Sequence, residues 1–278
     1  MDQIIVEAHG AKIPAIGFGT WPMKGDQCTS AVATALQSGY RHIDTAAFYG
    51  NETDVGAGLK ASGRQRDSYF LTTKVWKDDI APGQLERSAE ASLKRLGVSA
   101  VDLLLIHWPN PDVATADCIK ALCNAKRLGL ARHVGVSNFT TRHLADALKA
   151  ATEPLVCNQV EYHPHLDQAK LLAATRAAGM AFVSYCPLGR GDTGGVMDEP
   201  VIKDIATRLG KTSAQIVLRW HVQQLGVVAI PKSATPSRIA SNLDIVSFSL
   251  AAPDMAAISA LARPNGRVVN VAHAPTWD

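Results

Sequence analysis

GQLERSAEASLKRLGVSAVDLLLIH, residues 83–107, holds one full round of the pattern that decides the fold. The first part is an amphipathic helix stopping on Gly97, a residue suited to the left-handed conformation after a helix. The second part, VDLLLIH, is a nearly continuous apolar strand that closes on a polar residue, His107. Outward from this stretch the unit recurs. Strands YRHID, YFLTTK, ARHVGVSN, LVCNQ, AFVSY and VVAIPK begin near 40, 69, 131, 155, 181 and 227, and GFGTW at 17–21 supplies an eighth. Helical segments QCTSAVATALQSG and DQAKLLAATRAAG end on Gly39 and Gly179. Strands of near-continuous Val, Ile and Leu belong to a sheet buried on both faces, as strand–helix alternation produces when the sheet is parallel. The expectation is an α/β protein, a (β/α)8 TIM barrel, forming a single domain over residues 1–278. An N-terminal β-hairpin, QIIVEAHG then AKIP with its turn at His9-Gly10, precedes it, and RPNGRVVNVAHAPTWD reads as an irregular C-terminal tail.

Composition agrees with a globular body of this size. The 278 residues are 47% hydrophobic and 19% charged, enough apolar material for a full core. A net charge of +3 and the lack of any long Lys/Arg cluster argue against nucleic acid. No run of about eighteen apolar residues exists, and MDQIIVEAHG has no signal-peptide pattern, so no membrane partner is expected and the expected compartment is the cytoplasm. Cys28, Cys118, Cys123, Cys157 and Cys186 are odd in number, scattered, and never spaced C-x-x-C. Idle thiols are favoured over disulfides or zinc. His163 and His165 in EYHPHL lack a third ligand at matching spacing, so no metal site is expected.

Chemistry in such a barrel collects where the strands end. The closing residues are Asp44, Lys74, His107, Ser137 with Asn138, Asn158 with Gln159, Tyr185, and Lys232 with Ser233. Any one of them could be polar merely because it meets water. An acid, a lysine, a histidine and the nearby Tyr49 in HIDTAAFYGNE make a set with a chemical meaning. A phenol with a pKa near ~10 is a poor proton donor at neutral pH, and an adjacent cation lowers that value. Lys74 can be the cation, with Asp44 holding its ammonium and His107 donating a second hydrogen bond to a substrate oxygen. Such a site protonates a carbonyl oxygen on its way to an alkoxide.

Through HIDTAAFYGNE, LTTKVW, LLLIHWP, GVSNF, NQVEYHP, SYCPLGRG and IPKSATPSRIASNL, spanning residues 17–245, the chain resembles the aldo-keto reductases. Within that family it is most similar to bacterial 2,5-diketo-D-gluconate and methylglyoxal reductases. The resemblance implies a catalytic tetrad of Asp44, Tyr49, Lys74 and His107, with NADPH as cofactor, a small-molecule carbonyl as substrate, and a monomeric state. It places Ser137, Asn138 and Gln159 on the nicotinamide carboxamide and stacks Tyr185 on the ring. It also assigns to the cofactor Gly19, Thr20, Trp21 and Asp44, then Cys186, Pro187, Leu188, Gly189, Arg190 and Gly191 as a loop at the pyrophosphate, then Ile230, Pro231, Lys232, Ser233 and Arg238, with Asn242 at the adenine.

The residues themselves bear on two stretches of this set. GRGDTG at 189–194 matches G-x-G-x-x-G, but no acid follows about twenty residues on to hold a ribose, so a Rossmann site is rejected. In KSATPSR, Thr235 and Pro236 read as the N-cap and first residue of a helix whose free N–H groups, flanked by Lys232 and Arg238, suit the 2′-phosphate of NADPH. A solvated basic turn is the alternative. On the substrate side, Trp21, Phe48, Trp76 and Trp108 adjoin strand ends and should wall the cavity with Tyr49 and His107. The short loop after His107 predicts an open pocket for small or hydrophilic carbonyls.

The expected activity is therefore NADPH-dependent reduction of small aldehydes, α-dicarbonyls or keto-sugar acids, Tyr49 being the general acid. Two alternatives stay open. One is an NADPH-sensing module with little turnover, and the other is a lyase forming a Schiff base on Lys74.

Overall fold

A computed structural model describes residues 3–190 and 195–278. The chain opens with an antiparallel hairpin of β1 (Ile5–Ala8) and β2 (Ala11–Pro14). His9 and Gly10 at its turn take φ of 46° and 85°, the left-handed values a two-residue hairpin loop demands.

Eight parallel strands follow: β3 (Phe18–Gly19), β4 (His42–Asp44), β5 (Phe70–Val75), β6 (Val101–Ile106), β7 (Ala131–Ser137), β8 (Leu155–Glu161), β9 (Ala181–Tyr185) and β10 (Val227–Ala229). Each pairs in sequence order with the next. The ring closes between its ends. Ile16 bridges Ala229 in parallel, and Gly17 and Gly19 donate their N–H groups to Ala229 and Pro231 at 2.8 and 2.9 Å. That is the (β/α)8 barrel the recurring unit predicts. β8 runs two residues beyond the expected LVCNQ, to Glu161.

Among the described residues ten α-helices surround the sheet: α1 (Gly25–Ser38), α2 (Glu52–Ala61), α3 (Gln84–Leu96), α4 (Thr115–Arg127), α5 (Thr141–Ala150), α6 (Ala169–Ala177), α7 (Pro200–Leu209), α8 (Ser213–Val222), α9 (Pro236–Leu243) and α10 (Ala252–Ser259). α3 shows why they dock. Leu85, Ala89, Leu93 and Leu96 recur on one face and are buried, and the helix ends where Gly97 takes φ 69°. At the other end of the barrel, Ala8, Ala11 and Ile13 of the hairpin pack with Phe70, Leu103 and Ala181, so side chains fill the interior. The segment after Leu261 carries no helix or strand, as expected of the tail.

Candidate active site

β4 and β5 lie side by side, with Asp44 opposite Thr72, and Lys74 follows two residues further along the same face. The Lys74 ammonium is fully buried. It donates to Asp44 Oδ1 at 2.6 Å, to the carbonyl of Thr45 at 2.8 Å and to Tyr49 Oη at 3.3 Å. Tyr49 reaches it from a single 3₁₀ turn, Ala47–Tyr49, ended by Gly50 at φ 62°. The His107 ring lies edge-on to Tyr49, with centroids 5.5 Å apart. The structure thus brings Asp44, Tyr49, Lys74 and His107 together from four separate segments.

One electrostatic expectation is corrected. The phenol of Tyr49 is held well above the ordinary tyrosine range, by burial first and by the Asp44 carboxylate second. Loss of hydration outweighs the cation beside it, so the phenol keeps its proton at neutral pH. Burial likewise lowers the Lys74 ammonium against the opposing pull of Asp44. His107 is pushed well below the usual imidazole value by burial, then by Lys74 and His273, and is neutral.

The residues expected at a nicotinamide share hydrogen bonds with this cluster. Gln159 donates to Asp44 Oδ2 at 2.8 Å, Tyr185 donates to Asn138 Oδ1 at 2.7 Å, and Asn138 donates to the carbonyl of His107 at 2.9 Å. Ser137 Oγ donates to the Gln159 carbonyl at 2.8 Å. Gly19, Thr20 and Trp21 leave β3 beside Asp44, whose carbonyl accepts the Thr20 N–H at 3.1 Å. The Thr20 hydroxyl is buried without a partner among the described residues. After β9, Cys186 turns at φ 49°, and Pro187, Leu188, Gly189 and Arg190 follow; Gly191 lies outside the described residues.

Ile230, Pro231, Lys232 and Ser233 leave β10 toward α9. Thr235 and Pro236 occupy the N-cap and first position as predicted, but the Thr235 side chain makes no capping bond. Ser233 Oγ accepts the N–H of Thr235 itself, at 3.1 Å. Lys232 and Arg238 are exposed, with no ion pair among the described residues, and Asn242 is buried on the same helix.

Phe48 and Trp76 stack at 3.8 Å with ring planes 14° apart, and Trp21 extends the wall at 6.1 Å from Phe48. Trp21 and Phe48 are 50% and 51% exposed, which marks the mouth, but Trp108 is only 5% exposed. The tail covers it. His273 meets Trp76 at 5.2 Å and Trp108 at 5.0 Å, and Trp277 meets Trp108 at 6.1 Å. The open pocket read from the short loop is thus corrected on this side, because a distant segment replaces the missing loop. His273 and Trp277 went unassigned in the sequence; their only signal is that they are the two aromatic rings of the tail. His163 and His165 turn their Nε2 atoms to Glu161 at 3.0 Å and Glu199 at 2.5 Å.

A family model described as the aldo/keto reductase family matches residues 15–263. The chain belongs to the aldo/keto reductase family. This aldo/keto reductase is 40% identical over 262 residues to the methylglyoxal reductase DkgA of Escherichia coli strain K12, covering 93% of each chain. A crystal structure provisionally assigned as 2,5-diketo-D-gluconic acid reductase B superposes with a TM-score of 0.95 at 44% identity, covering 100% of this chain and 98% of the other. The Bombyx mori aldo-keto reductase, solved in complex with NADP, gives a TM-score of 0.89 at 33% identity over 98% and 96% of the two chains. No helix among the described residues is long and apolar enough to cross a membrane.

Proposed function

We propose that this chain reduces small aldehydes, α-dicarbonyls or keto-sugar acids with NADPH, using Tyr49 as the general acid. The observation that carries the reading is the buried Lys74 ammonium, bonded to both Asp44 and Tyr49 at the strand ends. The likeness to a methylglyoxal reductase and to the diketo-gluconate reductase structure supports the substrate class.

The residues present fit the cofactor. Asn138 and Gln159 offer amide donors and acceptors for a carboxamide, Tyr185 offers a ring face, and the buried Thr20 hydroxyl, without a partner among the described residues, stands next to Asp44, which Gln159 also bonds. Free N–H groups at the start of α9, with Lys232 and Arg238, which have no ion pair among the described residues, suit a 2′-phosphate. When bound, NADPH supplies the hydride that reduces the carbonyl carbon. The chain's own part is to hold and protonate the oxygen. Tyr49, kept protonated by burial, donates its proton, and the Lys74 ammonium stabilises the phenolate left behind. Neutral His107 donates a hydrogen bond to the same oxygen, and Asp44 holds Lys74 in place.

Loss of NADPH absorbance with methylglyoxal and then with 2,5-diketo-gluconate tests the reading, with NADH run in parallel. The Tyr49→Phe variant should lose about 10²–10⁴-fold in kcat and keep its NADPH affinity. Tight NADPH binding with no turnover of any carbonyl would favour a sensing module, and an active Tyr49→Phe variant would remove the general acid.

A further inference from the structure

Glu161 ends β8, two residues beyond Gln159 on the same face of the strand, and its side chain is fully buried. The carbonyl chemistry has no use for it, yet it collects four partners. Oε1 accepts the Val268 N–H at 2.6 Å and His163 Nε2 at 3.0 Å; Oε2 accepts the Val269 N–H at 3.0 Å and faces Arg267 Nη1 at 3.5 Å. Three of the four come from the C-terminal tail. The Arg267 guanidinium then lies over the Trp277 ring at 3.7 Å. At the far end, Asp278 accepts from the N–H of Thr141 at 2.9 Å and from its hydroxyl at 2.6 Å. The tail is therefore a strap tied at both ends, and His273 lies midway, its ring nearly perpendicular to those of Trp76 and Trp108.

A greasy contact at Glu161 would also hold the tail down, but apolar packing tolerates a slide along the chain. A carboxylate bonded to two consecutive backbone N–H groups does not, because a shift by one residue breaks both bonds and leaves a buried charge short of donors. We propose that Glu161 is a positioning residue: by gripping Arg267, Val268 and Val269 it sets the register of the strap and so seats His273 as a wall of the carbonyl site. The same strand that carries Gln159 to Asp44 thereby fixes the wall that abuts the aromatic stack at Trp76. This inference rests on the reductase reading above for its kinetic test and on the contacts alone for its structural one.

The test uses the full chain with Glu161→Gln, His273→Ala and the double variant. In Glu161→Gln the KM for methylglyoxal should rise about tenfold while kcat and NADPH affinity stay within about twofold, and a bulky aromatic aldehyde should lose less or gain. His273→Ala should reproduce the effect and add nothing to it in the double variant, since both changes remove one wall. Amide exchange over residues 268–278 should accelerate in Glu161→Gln with the barrel strands still protected. Additive effects in the double variant, equal losses of kcat and NADPH affinity, or unchanged exchange in the tail would each overturn the proposal. If Glu161→Gln does not fold, Arg267→Met tests the grip in part: it removes one tail contact and leaves the two N–H bonds, so a smaller rise in KM with faster exchange over residues 268–278 is expected, and an unchanged tail would overturn the proposal. A wild-type chain inactive on every carbonyl defeats the reductase reading instead, and exchange in the tail still decides for or against the strap.

Discussion

Lys74 Nζ lies 2.6 Å from Asp44 Oδ1, and both side chains are shut off from solvent. A buried pair of this kind is costly to break, because the survivor is left as an uncompensated charge. Asp44→Asn should lower unfolding free energy by about 3–5 kcal/mol in urea titrations. The Asp44→Asn/Lys74→Met double variant should lose less than the sum of the single losses. Strict additivity would show that the two groups do not act as a pair.

Stability should fall in mild acid, with buried histidines as the cause. Burial drives His221 down to about 3 and lowers His42 and His107 as well. These imidazoles are neutral in the folded chain, whereas in the unfolded chain they titrate near ~6.5. Below that pH the unfolded state binds more protons, so the stability present at neutral pH drains as pH falls toward the folded values. His221, with its wide gap between the two states, contributes a slope approaching about 1.4 kcal/mol per pH unit in that window. His221 Nε2 pairs with the Pro187 carbonyl at 3.1 Å, a bond a Gln amide can also make. His221→Gln should therefore flatten the slope by one histidine's share between pH 6 and pH 4, and an unchanged slope would acquit it.

Lys232 and Arg238 flank the start of α9 without ion pairs among the described residues. Under the proposed role, Lys232→Met and Arg238→Met should each weaken NADPH about tenfold, as expected for loss of one charge-assisted hydrogen bond. NADH affinity should hardly change. Titration of both nucleotides by fluorescence quenching separates this from general damage, which would weaken both alike.

A methyl group has no room at Gly19. A Cβ there would stand 2.9 Å from the Ile230 carbonyl oxygen, a backbone atom at the seam where β3 meets β10. Gly19→Ala should cost about 1–3 kcal/mol through forced separation of the seam, lowering Tm while leaving the helices intact by circular dichroism. A variant as stable as the parent would mean that the seam yields freely.

The parts of the site legible in the sequence are those carried by one local rule. Asp44, Lys74, His107, Ser137 and Tyr185 each close an apolar strand, and a barrel gathers such residues at one end whatever lies between them. Tyr49 was legible through the chemical set it makes with Asp44, Lys74 and His107, but its charge state was not. Whether Lys74 or lost hydration governs the phenol depends on how much protein surrounds the ring, and burial prevails. Thr235 was legible as an N-cap by position, but its side chain makes no capping bond, which depends on a rotamer that position alone does not decide.

By itself the sequence determined the repeating strand and helix, the parallel sheet they require, and the end of the barrel where chemistry gathers. Periodicity and glycine stops act over a few residues, so they can be read without knowing the fold. Only the tertiary structure decided the strap: Glu161 and Val268 are separated by more than a hundred positions, and nothing local in NQVEYHP or NGRVVN announces the other. A contact of that kind exists because the closed barrel brings the end of β8 under the returning tail, and no short-range preference encodes it. The same holds for the wall formed by His273 against Trp76 and Trp108, where three rings meet that the chain keeps far apart until the barrel closes.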